Sequence, residues 1–407
     1  MPREETMLSY EKNFSPRRSD GRFVSTMAAH MEFLRRLKPE LALPEELTRE
    51  SFVCYQDRVK EKLRELLGMP EFTPQPPPVR LWREERDGYR LEKWEFYPDD
   101  YAAVPFLVLI PEGASAAHPV PGVLCLPGSN HSKESLAGEP LPPHPEWPQN
   151  RFPERNAQAL HMVRNGMAAF AFDNPAIGEC ALHAAPEFGE LQGMTRVQMC
   201  HGLLDSGTCY VGLATFQKLC FLEHLERFDF VDPERIAISS HSLGTETAIA
   251  TGLLCNRIKA IVFNDFLHDD RRRYVSVTEE PEREMIQDIG NWHIIPGKMR
   301  YFAFQDLCAA FAPRYLALTE GGAEEFLSVV ERAYRVCGAS DHLQITFYPA
   351  YADPATRTMH EPVPLFGLSK ADYYTKFSYV VVPDHSFRAE PALKLLKRCF
   401  GLEQSRA

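Results

Sequence analysis

None of the ten cysteines, at positions 54, 125, 180, 200, 209, 220, 255, 308, 337 and 399, forms a C-x-x-C pair. That spacing would be needed for a zinc ribbon or a thioredoxin-like redox centre. Most sit among apolar neighbours, as in Val123-Leu124-Cys125-Leu126, and read as buried, reduced thiols of a reducing compartment. The opening residues MPREETMLSYEKNF carry no apolar h-region, so no secretory signal is expected. A run of about 18 apolar residues, which a membrane span requires, does not occur. There is no G-x-G-x-x-G, no P-loop, no internal repeat and no metal-ligand spacing, and hence no expected cofactor or metal. Positive charge is scarce, with a formal net charge of −11. That balance argues against a nucleic acid partner, which needs clustered Lys and Arg to displace counterions. The one dense basic run, Arg271-Arg272-Arg273, follows Asp269-Asp270 and reads as a solvated turn. A cytoplasmic protein that meets small soluble molecules, with no membrane or nucleic acid partner, is the expectation.

The chain holds 407 residues, 44% hydrophobic and 25% charged, enough to build a sizeable core without disulfides. Residues 1–78 are strand-poor. Met31–Leu37 and Val59–Leu67 carry apolar residues at helical spacing, and the run Pro74 to Pro78, with prolines at 74, 76, 77 and 78, breaks the chain. The segment is read as a helical extension packed on the main body, with a dimerisation arm, and so a homo-oligomer, as the alternative. From residue 79 short strands begin: Val79–Arg83, Tyr89–Tyr97 and Val104–Ile110, suited to an antiparallel sheet edge. Then follow the continuous apolar run Gly122–Leu126 and the strands Met167–Phe172, Arg235–Ser239, Ala260–Phe263, Tyr315–Leu318 and Leu343–Phe347. Helical segments at Asn156–Arg164, Leu213–Leu225 and Glu325–Val336 separate them. Strand and helix alternating in this way predict an α/β domain over 79–407. Its sheet would be mostly parallel and doubly wound, with helices on both faces and ligands beyond the strand C-termini. Two insertions interrupt the pattern. Residues 139–153 carry prolines 140, 142, 143, 145, 148 and 153 with Trp147. Residues 350–382 carry Tyr373, Tyr374, Phe377 and Tyr379. Each is read as a lid, a pocket wall or a surface loop.

The most informative segment runs from Arg235 to Ala248. A β-branched run ends in Ser240-His241-Ser242-Leu243-Gly244, and helix formers follow. This reads as a nucleophile elbow, G-x-S-x-G with Ser240 in place of the first glycine, whose strand-to-helix turn projects the Ser242 hydroxyl above the sheet. The competing reading is a serine that merely N-caps a helix. A helix N-terminus beneath the hydroxyl would favour an oxyanion. Backbone N–H donors are expected from Leu243 and from Ser129 or Asn130, in the loop Pro127–Glu134 after the Gly122–Leu126 strand. A serine hydroxyl needs a general base. His385, in Asp384-His385-Ser386-Phe387 before the final helix Glu390–Cys399, is the choice over His342 and His360. The acid that orients the base should follow the strand Tyr315–Leu318. Glu324 is preferred because Gly321 and Gly322 let the chain turn before it; Glu320 is second and Asp265, after Ala260–Phe263, third.

Taken together, Leu124-Cys125-Leu126-Pro127-Gly128, Asp173–Glu179, His241–Glu246, Ile295-Pro296-Gly297, Ala312-Pro313-Arg314 and Asp384–Phe387 resemble the acetyl xylan esterase and dienelactone-hydrolase-like branch of the α/β-hydrolases. The resemblance covers about residues 100–400. It implies the α/β-hydrolase fold and a triad of Ser242, His385 and an acid near Glu324. It further implies hydrolysis of carboxylic esters, often of acetylated sugars, through an acyl-enzyme. This chain has Pro127-Gly128 where that branch often has His-Gly, and glutamates where it often has Gly-x-Asp. A peptidase or amidase of the same fold and a non-catalytic binding protein are the competing expectations. Trp147, Trp292, His293 and Tyr373 are candidates for an aromatic wall suited to sugar rings.

Overall fold

A computed structural model describes residues 18–403, except Asn130, 141–152, 182–190, 269, 272–289 and 358–369. Nine strands form one sheet in the order β1-β2-β3-β5-β4-β6-β7-β8-β9. They are β1 Val79–Arg86, β2 Tyr89–Phe96, β3 Val104–Pro111, β4 Val120–Leu126, β5 Ala168–Phe172, β6 Val231–His241, β7 Ile258–Asn264, β8 Tyr315–Leu318 and β9 Leu343–Ile345. The first three pair antiparallel, and β3 meets β5 antiparallel; from β5 through β4 to β9 every pairing is parallel. The expected doubly wound α/β sheet with an antiparallel edge is therefore present, and the elements begin or end within a few residues of the expected bounds.

The parallel strands alternate side chains between two apolar layers, as the two-residue period of a strand dictates. Leu124, Ile238, Ile261, Phe263 and Leu316 face one layer, which also holds Phe216, Phe221, Ile249, Leu307 and Val330. These last come from the helices Tyr210–Glu223, Gly244–Leu254, Phe304–Ala310 and Glu324–Val336. Val123, Cys125, Ala237, Val262 and Ala317 face the other. Met162 and Leu396, from the helices Gln158–Val163 and Ala389–Phe400, cover it.

Two helices, Thr26–Arg36 and Arg49–Leu67, precede the sheet. The second buries Phe52, Tyr55, Val59, Leu63 and Leu67 in the first apolar layer. The Tyr55 hydroxyl donates to the Asp306 carbonyl at 3.3 Å, and the Gln56 amide donates to the carbonyls of Ala310 and Ala312. The apolar stripe of this helix is thus covered by the chain's own core. Gly68 ends the helix with φ +54°, where a Cβ would lie 2.1 Å from the Gly207 carbonyl oxygen; the close approach explains the glycine.

The register of the central strands positions the chemistry. Leu126 of β4 pairs with Ser240 of β6, His241 with Asn264 of β7, and Phe263 with Leu318 of β8. Four strand C-termini end level with one another. The chain leaves β4 toward β5 on one side and returns to β6 on the other, so a crevice opens at the switch. Among the described residues no helix is long and apolar enough to cross a membrane. The insertion near 139–153 lies almost wholly outside the described residues, as does residues 358–369 of the second.

Candidate active site

Ser242 occupies the turn between β6 and the Gly244–Leu254 helix, with φ +49°. A non-glycine residue held there costs roughly 1–3 kcal/mol. The strain is held by its neighbours: the Ser242 N–H donates to the Asn264 carbonyl at 3.0 Å, and its own carbonyl accepts from the Thr245 N–H at 2.8 Å and the Thr245 hydroxyl at 2.7 Å. Gly244 is required by contact. A Cβ there would stand 2.7 Å from the carbonyl oxygens of both Leu126 and Pro127. Ser240, where a glycine is usual, is fully buried and its hydroxyl donates to the Val262 carbonyl at 2.7 Å. The extra polar atom is therefore satisfied.

The Ser242 side chain opens on a cavity of about 310 Å³ that His385 also lines, with Ser129, Thr245, Glu246, Asp265, His268 and His293 among its polar members. Phe263, Phe266, Phe304, Tyr374, Val380 and Val382 give it apolar walls. His385 Nδ1 lies 2.8 Å from Glu320 Oε2, and Glu320 is fully buried. A carboxylate at Nδ1 fixes the tautomer with the proton there and leaves Nε2 as the basic atom.

Glu320 rather than Glu324 is therefore the partner of His385. Glu324 is exposed and opens the Glu324–Val336 helix, where its charge complements the helix N-terminus in solvent. The reason lies in the glycines. Gly321 and Gly322 adopt φ +66° and +147°, and the Gly321 carbonyl accepts from the Leu267 N–H. The chain thus turns immediately after Glu320 and carries Glu324 away, while the carboxylate just beyond the end of β8 reaches the imidazole. Asp265 lines the cavity, and its Oδ1 accepts from the Phe266 N–H. His342 stacks on Tyr315 and bonds the Pro313 carbonyl, at the N-terminal end of β8. His360 lies outside the described residues.

Asn264, which the sequence reading did not single out, holds this side together. Its amide nitrogen lies 3.0 Å from Glu320 Oε1, 3.1 Å from the Ser386 carbonyl and 2.9 Å from His241 Nδ1. Its Oδ1 accepts from the Thr319 hydroxyl and the Arg388 N–H. His241 is buried, with its ring 4.7 Å from that of His385. Burial, then the neighbouring His385 and His131, hold its pKa well below the usual histidine value, so it stays neutral beside the base. His241, Glu320 and His385 bring ligand atoms within 4.8 Å of one another, the one metal-like grouping among the described residues. Their hydrogen bonds to one another and to Asn264 account for that closeness.

The loop after β4 approaches Ser242 from the opposite side. A Cβ on Gly128 would lie 3.0 Å from the His241 ring and 3.4 Å from Ser242 Cβ. The Asn174 amide donates to the carbonyls of Pro127 and Gly128 at 3.0 and 3.1 Å. Arg196 donates to the Ser129 carbonyl at 2.6 Å while its guanidinium stacks 3.6 Å from Trp292. Below the loop, Lys133 is fully buried. Its ammonium lies 2.9 Å from Asp173 and 2.8 Å from both Glu134 and Glu179, and its N–H donates to Asp173 Oδ1 at 2.7 Å. Burial opposes the Lys133 charge, but these carboxylates outweigh it and hold the pKa above the usual lysine value. The stretch Asp173–Glu179 thus fastens the loop, a role its sequence did not reveal. Leu243 is buried beside Ser242; Asn130 lies outside the described residues, as does Trp147. Trp292 packs on Arg196 rather than lining the cavity, and Tyr373 is buried while its neighbour Tyr374 reaches the wall.

Residues 9–398 match the Abhydrolase family. The chain belongs to that family. A Bacteroides fragilis protein to which acetyl xylan esterase activity is ascribed is 34% identical, with a TM-score of 0.84 over 94% of this chain and 96% of that one. The fold is shared further afield at 15% identity. A glucuronoyl esterase from Solibacter usitatus matches over 77% of this chain and 94% of that one with a TM-score of 0.52. The methylesterase BT1017 matches over 95% and 81% with a TM-score of 0.53. No curated protein matches the sequence. The fold of this family member is the α/β-hydrolase fold.

Proposed function

We propose that this carboxylic ester hydrolase works through Ser242 as nucleophile, His385 as general base and acid, and Glu320 as the carboxylate that orients the imidazole. The backbone N–H groups of Leu243 and Ser129 would receive the oxyanion. His385 Nε2 takes the Ser242 proton as Oγ attacks the ester carbonyl carbon. The tetrahedral oxyanion then collapses, and the alcohol leaves with the proton from His385. Water, deprotonated by the same ring, attacks the acyl-enzyme and releases the carboxylic acid with Ser242 restored. The observation that carries the reading is the 2.8 Å His385–Glu320 contact at the rim of the cavity that Ser242 lines. The likeness to the Bacteroides fragilis protein supports acetyl esters of sugars as substrates, and the polar lining of the cavity agrees with a hydroxylated alcohol.

A peptidase or amidase has no particular observation in its favour. The ten free cysteines support a reducing compartment such as the cytoplasm. Burial pushes the Cys209 thiol up to about 11, which keeps it protonated and unreactive at neutral pH. The test is hydrolysis of p-nitrophenyl acetate and of acetylated xylosides by the wild type and by Ser242→Ala. A loss of about 10⁵-fold or more in kcat is expected, together with loss of fluorophosphonate labelling. Undiminished turnover in the variant would reject the scheme.

A further inference from the structure

One turn beyond the nucleophile, a second polar pair faces the same cavity and takes no part in the proton transfers above. Glu246 and His293 both line the space that Ser242 opens on. His293 Nδ1 lies 2.6 Å from Glu246 Oε1, and the two side chains are only 15% and 6% exposed. The other carboxylate oxygen, Glu246 Oε2, is buried with no hydrogen-bond partner. A buried carboxylate oxygen left without a donor is costly, and such groups are normally satisfied. Glu246 itself lines the cavity, so a small turn of its carboxylate would bring a donor bound there to the unpartnered oxygen.

We infer that Glu246 is a specificity-determining residue whose Oε2 accepts a hydrogen bond from a hydroxyl on the alcohol portion of the ester. The inference rests on the esterase reading above, since an acetyl group carries no donor and the hydroxyl must then belong to the alcohol. A neutral hydroxyl is the donor that the sugar alcohol of the proposed substrate carries. A carboxylate-bearing alcohol is disfavoured, because Glu246 and Asp265 line the same space. His293 then acts as a positioning residue, holding Oε1 so that Oε2 stays turned to the ligand. A site that depends on one buried acceptor discriminates strongly against alcohols without the matching donor.

The experiment compares wild type with Glu246→Gln, which keeps the shape of the side chain but replaces one acceptor oxygen by a donor. Three acetyl esters serve as probes: a mono-O-acetyl methyl xyloside, p-nitrophenyl acetate and acetylcholine. The ratio of kcat/KM for the xyloside to that for p-nitrophenyl acetate should fall about 10- to 100-fold, the range of a hydrogen bond to a charged group. A ratio within two-fold of wild type overturns the inference while leaving the esterase reading intact. A selective loss on acetylcholine instead would overturn the hydroxyl assignment in favour of a cation. Binding of methyl xyloside itself, which has no ester, is measured by calorimetry on Ser242→Ala and on Ser242→Ala/Glu246→Gln. Binding at least ten-fold weaker in the double variant supports the inference even if the esterase reading fails, and equal binding overturns it. Melting temperatures confirm that all three variants are folded.

Discussion

On the imidazole side of Ser242, Glu320 is held by the Asn264 amide, which also bonds the Ser386 carbonyl and a His241 ring held uncharged by burial. On the opposite side, the loop Pro127–Ser129 stands over an ionic cluster in which the buried Lys133 and Asp173 meet the partly exposed Glu134 and Glu179. The contrast follows from what each side must do. The imidazole gains and loses a proton in every turnover, and Glu320 supplies the charge that stabilises its protonated form. The neutral Asn264 amide orients that carboxylate without competing for the proton. The loop bears no titrating group that the reaction uses; it needs only to be immobile, and the fully buried Lys133–Asp173 pair supplies rigidity.

Breaking the neutral side should have the largest effect. Glu320→Gln keeps the volume but removes the charge that stabilises the imidazolium, and kcat should fall about 10⁴-fold, the scale known for such a change in a serine triad. Glu324→Gln should stay within two-fold of wild type. Equal losses in the two variants, measured under saturating substrate, would refute the assignment of roles.

On the ionic side the expected signature is stability before rate. Lys133→Met leaves the fully buried Asp173 without its cation, while Glu179 keeps Lys93 at 2.7 Å, and should lower the unfolding free energy by roughly 3–5 kcal/mol, read by chemical denaturation. A cost under 1 kcal/mol would show that the cluster is not an anchor.

A smaller effect of opposite sign is expected at Lys218, a second buried lysine on this side. Its ammonium has no hydrogen-bond partner and stands 5.1 Å from the Phe172 ring. Burial lowers its pKa to about 8. The unfolded chain holds that proton up to about 10.5, so the folded state bears the full cost of the charge below pH 8. The cost fades between pH 8 and 10.5 as the folded form releases the proton. Lys218→Met should therefore raise stability by at most roughly 3 kcal/mol at pH 7, with the gain shrinking above pH 8. A gain that does not change with pH would trace the effect to packing alone.

Much of this arrangement is legible in the residue order. The strands declare themselves because a sheet covered on both faces demands continuous apolar runs, and Ser242 stands out because so few residues fit between Ser240 and Gly244. His385 follows from its place before the last helix. Glu320 and Glu324 differ by four positions, and the choice between them depends on where β8 stops and how two glycines turn, which is a matter of backbone angles rather than residue type. Asn264 and Lys133 are harder still. Asn264 bonds Glu320 and Ser386, and Lys133 bonds Asp173 and Glu179, all far away in the chain, and nothing in a local window marks a buried amide or ammonium as satisfied.

The helix Arg49–Leu67 has a consequence for the protein's birth. The Tyr55 hydroxyl closes on the backbone of Asp306, 251 positions further along. At a synthesis rate of about 5–20 residues per second, the greasy flank of that helix emerges from the ribosome roughly 10–50 seconds before the segment that shelters it. For that interval the nascent polypeptide must carry a sticky, unshielded rod, a ready target for a chaperone.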